Sequence, residues 1–256
     1  MFYVFKKDKI LSYLTVGLCV ACLLTFSGFI SEKYIQTSSS LEKKIPIYNV
    51  DTDENKVAIT FDCAWAADDI PKILQVLKDN NVKSTFFLVG DWIEKYPDTV
   101  KNIYEQGHDI ANHSDTHAHV NNISYEKNIE EIKLCSDKIE KITGKKSYLY
   151  RGPYGEYNNT VMNAAEAQKH IVVQWDVDTL DWKKLTGDEM WKRIDKKMKK
   201  GSIILMHNGT NHTADSLDML IKNIKIKGFE IIPVSELIYK DNYVIDSRGV
   251  QHKINQ

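Results

Sequence analysis

The sequence predicts a deformed (β/α) barrel of about seven parallel strands, a single domain behind an N-terminal apolar segment. Three observations point to it. From Lys56 onward, short apolar runs alternate with amphipathic segments, the pattern of strands joined by crossover helices. No internal repeat breaks the alternation, and no loop is long enough to separate two cores. The residues able to do chemistry follow directly after the apolar runs, and in a parallel barrel those strand ends share one rim, where sites are built.

Val57 to Phe61 reads as the first buried strand. A helix follows from about Asp69, with Pro71 in its first turn and Ile70, Ile73, Leu74 and Leu77 on one face. Ser84 to Val89 is the second strand, Thr99 to Gln106 a helix ending before Gly107, and Asp109 to Asn112 the third strand. Ser124 caps a long helix whose stripe is Ile129, Ile132, Cys135, Ile139 and Ile142, stopped by Gly144. Tyr148 to Tyr150 is the fourth strand, residues 159–168 a helix, and Ile171 to Val173 the fifth strand. Thr186 and Glu189 form a capping box opening a helix that Gly201 closes. Ser202 to Met206 is a strand, residues 215–226 a helix, and Phe229 to Ile232 the last strand. Right-handed crossovers curl such a sheet toward an incomplete barrel.

Ahead of this domain, Ile10 to Ile30 is 21 residues without a charge, preceded by Lys6, Lys7 and Lys9. About 20 apolar residues span a bilayer, and the lysines favour a cytoplasmic N-terminus. A cleavable signal peptide is the other reading, although its apolar region is usually only about 7–15 residues and Thr25-Phe26-Ser27 is a weak cleavage site. Either way the remainder is expected outside the cytoplasmic membrane of a bacterial cell, anchored if the segment is kept and secreted if it is cleaved. The expected divisions are 1–9 cytoplasmic, 10–30 anchor or signal peptide, 31–54 linker, 55–240 folded domain, and 241–256 a tail able to form a hairpin around Ser247-Arg248-Gly249.

Thirty-four basic against 35 acidic residues leave a net charge of −1, which supplies no field for a polyanion and excludes nucleic acid as the expected partner. Four cysteines, two of them (Cys19 and Cys22) in the apolar run, are too few for a disulfide scaffold. A monomer is expected.

The reactive residues fall in five segments. Asp62 ends the first strand. His113 and His117 follow the third, spaced so that two imidazoles can reach one ion, with His119 as another nitrogen. Arg151 follows the fourth strand; it is one of three arginines, with Arg193 and Arg248, where lysine is the default cation, and suggests a planar clamp for a carboxylate. Asp181 and Trp182 follow the fifth strand, offering a carboxylate to orient an imidazole and an aromatic face for a sugar ring. His207 ends the apolar run that contains Leu205. Taken singly, each also fits a capping Asp, a solvated Arg, a satisfied His or a core Trp; their order along the chain carries the argument.

That order, Thr60-Phe61-Asp62, His113-Ser-Asp-Thr-His117, Arg151-Gly-Pro-Tyr154, Asp181-Trp182 and Leu205-Met-His207, closely resembles the five motifs of the polysaccharide deacetylases with a NodB-homology domain, carbohydrate esterase family four. The likeness covers about residues 55–240. The wording Trp175-Asp-Val-Asp-Thr-Leu-Asp-Trp182 and the tail Tyr243-Val-Ile-Asp246 look like the membrane-anchored PdaB-type branch of spore-forming bacteria. The resemblance implies metal-dependent hydrolysis of N-acetyl groups on cell-envelope amino-sugar polymers, peptidoglycan first among them, and a role in sporulation. By position it implies Asp62 as general base, Arg151 as its partner, His207 as general acid and Asp181 as the partner of His207. It implies His113 and His117 as metal ligands, Tyr154 as the donor of a backbone N–H to the oxyanion, and Trp182 and Leu205 as walls of the acetyl-methyl pocket. One position departs from the family pattern, where a second Asp ligates the metal: here it is Cys63. Thiolate is a good zinc ligand, so zinc held by Cys63, His113 and His117 is one expectation, with Asp68 or His119 as substitutes. A Cys63 buried in the wall, with catalysis impaired and a glycan-binding or spore-envelope assembly role, is the other.

Overall fold

The computed structural model describes residues 43–254. The expected anchor at 10–30, with the cytoplasmic residues 1–9 and most of the expected linker, lies outside the described residues; among those described, no helix is long and apolar enough to cross a membrane.

In chain order the strands are β1 (Asn49–Val50), β2 (Lys56–Cys63), β3 (Thr85–Leu88), β4 (Asp109–Asn112), β5 (Leu149–Tyr150), β6 (Ile171–Val172), β7 (Val177–Asp178), β8 (Ile203–His207), β9 (Glu230–Ile231), β10 (Tyr243–Ile245) and β11 (Val250–Lys253). The helices used below are α1 (Ile70–Asp79), α2 (Gly90–Lys95), α3 (Pro97–Glu105), α4 (Tyr125–Thr143), α5 (Asn159–Ala167), α6 (Gly187–Lys197) and α7 (Thr213–Ile226). One parallel sheet runs β6-β5-β4-β3-β2-β8-β7, with β9 added on β2. The path does not close on itself, so the barrel is incomplete as expected.

Strand parity builds both layers, because successive side chains point to opposite faces. Val57, Ile59, Phe61 and Cys63 of β2 pack outward with Phe86 and Leu88 of β3 and with Ile70, Ile73, Leu74 and Leu77 of α1. Each such side chain contributes about 1.5–3 kcal/mol when fully buried. Ala58 belongs instead to a cluster with Phe87, Ala111 and Ile203. Ser124 Oγ accepts from Lys127 N at the start of α4, and Gly144 closes that helix with φ +69°. The Thr186–Glu189 capping box is formed as read.

Three expectations change. The helix expected at 99–106 is α3, which Pro97 opens two residues earlier, and a short helix that was not expected, α2, precedes it up to Lys95. A short strand, β7, lies between the fifth and sixth expected strands and pairs with β8; two residues are too few to give an apolar run. The linker does not extend to residue 54. Ile47 N donates to Val172 O (3.0 Å), Gln174 N donates to Ile47 O (2.7 Å), and β1 pairs with β11, so this backbone finds its partners in the domain. Gly201, φ +75°, lets the segment approach: a Cβ there would sit 1.7 Å from Val50 O. The tail forms a hairpin, β10 antiparallel to β11, and β11 is the central strand of a three-stranded sheet β1-β11-β10.

Candidate active site

The register of the sheet brings the chemistry together. Asp62 is paired directly with His207 across β2 and β8, both at the C-terminal ends of their strands. Neighbouring strands lie about 4.8 Å apart, so the two side chains, on the same face, open into one space. That space is a cavity of about 520 Å³, and His113, His117, Tyr154, Trp182 and Leu205 also line it.

Asp62 is held from behind. Arg151, fully buried, donates from Nη1 to Asp62 Oδ1 (2.6 Å) and to Thr60 Oγ1 (2.9 Å), from Nη2 to Gln174 O (3.0 Å) and from Nε to Val173 O (3.2 Å). Its guanidinium lies 4.0 Å over the Phe87 ring. This is the planar fork that lysine cannot supply. Burial pushes the Asp62 carboxyl upward, but the charge and hydrogen bond of Arg151, with the nearby imidazoles, prevail and hold it below the ordinary carboxylate value.

His207 has the complementary arrangement. Its Nδ1 is 2.8 Å from Asp181 Oδ1, so the N–H that donates to Asp181 leaves Nε2 to the cavity. Asp181 is buried and also accepts from His207 N (2.7 Å), Thr213 Oγ1 (2.7 Å) and Trp182 N (2.9 Å). Burial alone would lower the pKa of His207; the hydrogen bond and charge of Asp181 overcome it and raise it.

His113 Nδ1 lies 2.8 Å from Arg151 O, an oxygen that can only accept, so Nδ1 carries the proton and Nε2 is the free lone pair, 3.7 Å from Asp62 Oδ2. His117 packs edge-on at 5.2 Å between ring centroids. Burial lowers the pKa of both, that of His117 to about 4. Neutral imidazoles are what a metal requires. Ser114 and His117 have φ of +69° and +58°, a turn held by a residue the sequence reading passed over. Glu131 of α4, 1% exposed, accepts from Ser114 Oγ (2.7 Å), Asp115 N (3.0 Å), Thr116 N (2.9 Å) and Thr116 Oγ1 (3.0 Å). A glutamate beside Ile132 on a buried stripe was the available signal.

Tyr154, φ +59°, stacks at 4.2 Å on His119, whose Nδ1 is 2.8 Å from Glu156 Oε1. His119 is thus committed to Tyr154 and Glu156. Further cavity residues that were not singled out from the sequence include Trp65, Trp175 and Asp178. Trp65 lies only three positions past Asp62, with its ring 5.5 Å from that of His207, and its loop is clamped by Asn208 Nδ2 donating to Ala66 O and Gly209 N donating to Asp69 Oδ2.

The expected ligand set of Cys63, His113 and His117 is not assembled. Cys63 follows Asp62 in the same strand, so it faces the other way, into the apolar layer between sheet and helices. It is fully buried, and burial, with Asp62 and Asp69 nearby, pushes its thiol well above the ordinary range. Among the described residues no three His, Cys, Asp or Glu side chains are grouped to hold a metal. Two imidazoles with free, neutral nitrogens fit a divalent metal; the third donor of a catalytic zinc site is missing. Cys63→Ala should therefore leave zinc uptake, measured by elemental analysis after dialysis, at the wild-type level; loss of zinc would return the thiol to the site.

Comparison with known proteins agrees with the geometry. A family model described as polysaccharide deacetylase matches residues 49–173. The Bacillus subtilis protein YlxY is 34% identical over 75% of this chain, which spans 60% of that protein's length. A peptidoglycan-N-acetylglucosamine deacetylase of Bacillus cereus is 32% identical over 78% of this chain and 74% of its own. The solved structure of a pseudoenzyme of carbohydrate esterase family four from Bacillus anthracis superposes with a TM-score of 0.73 at 31% identity, over 75% of this chain and 68% of its own.

Proposed function

This chain belongs to the polysaccharide deacetylase family, and from that premise we propose that it hydrolyses N-acetyl groups on the amino sugars of a cell-envelope glycan, peptidoglycan first among them. The observation that carries the reading is the register pairing of Asp62 with His207 across the cavity, each backed by its own buried partner. A site with no proton to move has no use for two such pairs, since burying an ion pair is costly.

Hydrolysis of an acetamide needs an attacking water, a place for the developing negative charge, and a proton for the departing amine. Asp62, kept ionised by Arg151, takes one proton from the water as its oxygen bonds to the carbonyl carbon. The backbone N–H of Tyr154 donates to the oxyanion. When the C–N bond breaks, His207 delivers the proton on Nε2 to the nitrogen, releasing the amine and acetic acid, whose proton passes to bulk water. Trp182 and Leu205 enclose the acetyl methyl. The 21 uncharged residues at 10–30 support placement on the outer face of the cytoplasmic membrane.

A second reading, a glycan-binding protein with impaired catalysis, is favoured by one observation: Cys63 stands where the family places a metal ligand and is turned into the core. Acetate release from peptidoglycan and from N-acetylglucosamine oligomers, with and without added zinc or cobalt, separates the two. Release of acetate is the expected result; glycan binding without release in any metal condition would leave the second.

A further inference from the structure

The cavity carries an electrostatic bias that bears on which amino sugar it takes. Its lining contains two carboxylates, Asp62 and Asp178, and no lysine or arginine. The charge of Asp62 is answered by Arg151 at 2.6 Å. Asp178 is different. Its Oδ1 accepts from Leu180 N (2.8 Å), and no ion pair to its carboxylate forms among the described residues. Arg193, the nearby arginine, spends its Nε on the backbone carbonyl of Asp178 instead (2.9 Å). Among the described residues Lys183 is a further cation against the lining, exposed and 4.9 Å over the Trp182 ring. Water screens such an exposed charge far more than one in the recess.

The rest of the mouth is aromatic. Trp65, Tyr154 and Trp182 are each about half exposed or more (49%, 60% and 50%), unusual for such large apolar groups unless something lies on them. Flat aromatic faces take the apolar faces of sugar rings, and a carboxylate oxygen among them accepts from sugar hydroxyls. The two acetylated sugars of peptidoglycan differ at O3: N-acetylmuramic acid carries a lactyl group there, whose carboxylate is free and ionised where no stem peptide is attached, and N-acetylglucosamine carries a hydroxyl. Resting on the deacetylase reading above, we propose that the cavity is built for the uncharged N-acetylglucosamine unit and turns away the lactyl carboxylate of N-acetylmuramic acid, with Asp178 setting the choice. Two carboxylates brought together in a partly desolvated recess repel, and like-charge contacts are a common means of rejecting the wrong partner.

The test isolates charge from shape. N-acetylglucosamine, N-acetylmuramic acid and the methyl ester of N-acetylmuramic acid are titrated into the full chain and followed by NMR. The ester should bind about fivefold or more tighter than the acid, the size expected for one partly screened repulsion, and N-acetylglucosamine at least as tightly as the ester. The gap between ester and acid should shrink toward unity in Asp178→Asn, and in the wild type at about 1 M salt, where the screening length is only about 3 Å. The salt arm needs no variant, so it stands if Asp178→Asn fails to fold. Equal binding of acid and ester, or a gap unchanged by both salt and Asp178→Asn, overturns the inference and leaves the deacetylase reading intact. Binding of none of the three sugars, with no acetate released from any glycan, removes both.

Discussion

Arg151→Ala should lower stability by about 3–5 kcal/mol, because it leaves the Asp62 carboxylate buried without its partner. It should also lower kcat by about 10²-fold or more, since an unpaired Asp62 drifts toward its neutral form and cannot take a proton. Asp62→Asn makes the same catalytic test from the other side. It should lose about 10²-fold or more in kcat while keeping hydrogen bonds to Arg151. The double variant Arg151→Met with Asp62→Asn should recover much of the lost stability and none of the activity. The pH dependence has a definite sign. Asp62 is held below its unfolded value, so its contribution to stability is complete above the ordinary carboxylate range, near 3.9, and is lost as the pH falls through the folded value. Thermal melts of wild type and Asp62→Asn should therefore converge in acid. Wild-type kcat in Asp62→Asn would remove Asp62 from the chemistry.

The second large effect concerns the acid. His207→Ala should lower kcat by about 10²–10⁴-fold. Asp181→Asn is the more informative change, because it leaves the imidazole in place and removes the charge that raises its pKa. An acid must begin protonated, so activity should fall as the pH rises through the His207 value. In Asp181→Asn that alkaline limb of kcat/KM should move to lower pH. Stability follows the same sign: a raised His207 contributes fully below its unfolded value, near 6.5, and loses that contribution as pH rises through the folded one. An alkaline limb in the same place in both proteins would mean that another group is the acid.

The fold was largely legible in the sequence because its helices bury single faces with clear periodicity: the four apolar residues read on α1 are the four that are buried there. Short elements were not legible. β7 has two residues, and β1 gains its partners from β11, some 200 residues later, which no local pattern encodes. The same limit applied to the site. Asp62, Arg151, Asp181 and His207 stood out because each follows an apolar run, whereas Asp178 was hidden inside a segment read whole, and Glu131 resembled one more surface glutamate on α4.

Cys63 divides what each level decides. Sequence alone determined the residue types, their order along the chain and their placement after strands; the sheet decided that Asp62 meets Arg151 and that Asp181 meets His207. Sequence also determined that a thiol stands at the position after Asp62. Which way that thiol points depended on where β2 stops. Had the strand ended at Phe61, residues 62 and 63 would lie in a loop, free to turn together toward His113 and His117. Pairing of Asp62 with Phe87 and His207, and of Cys63 with Leu88, carries the strand two residues further. Neighbouring strands supply those backbone partners, and once both residues are in the ladder, the pleat sends the carboxylate into the cavity and the thiol into the core.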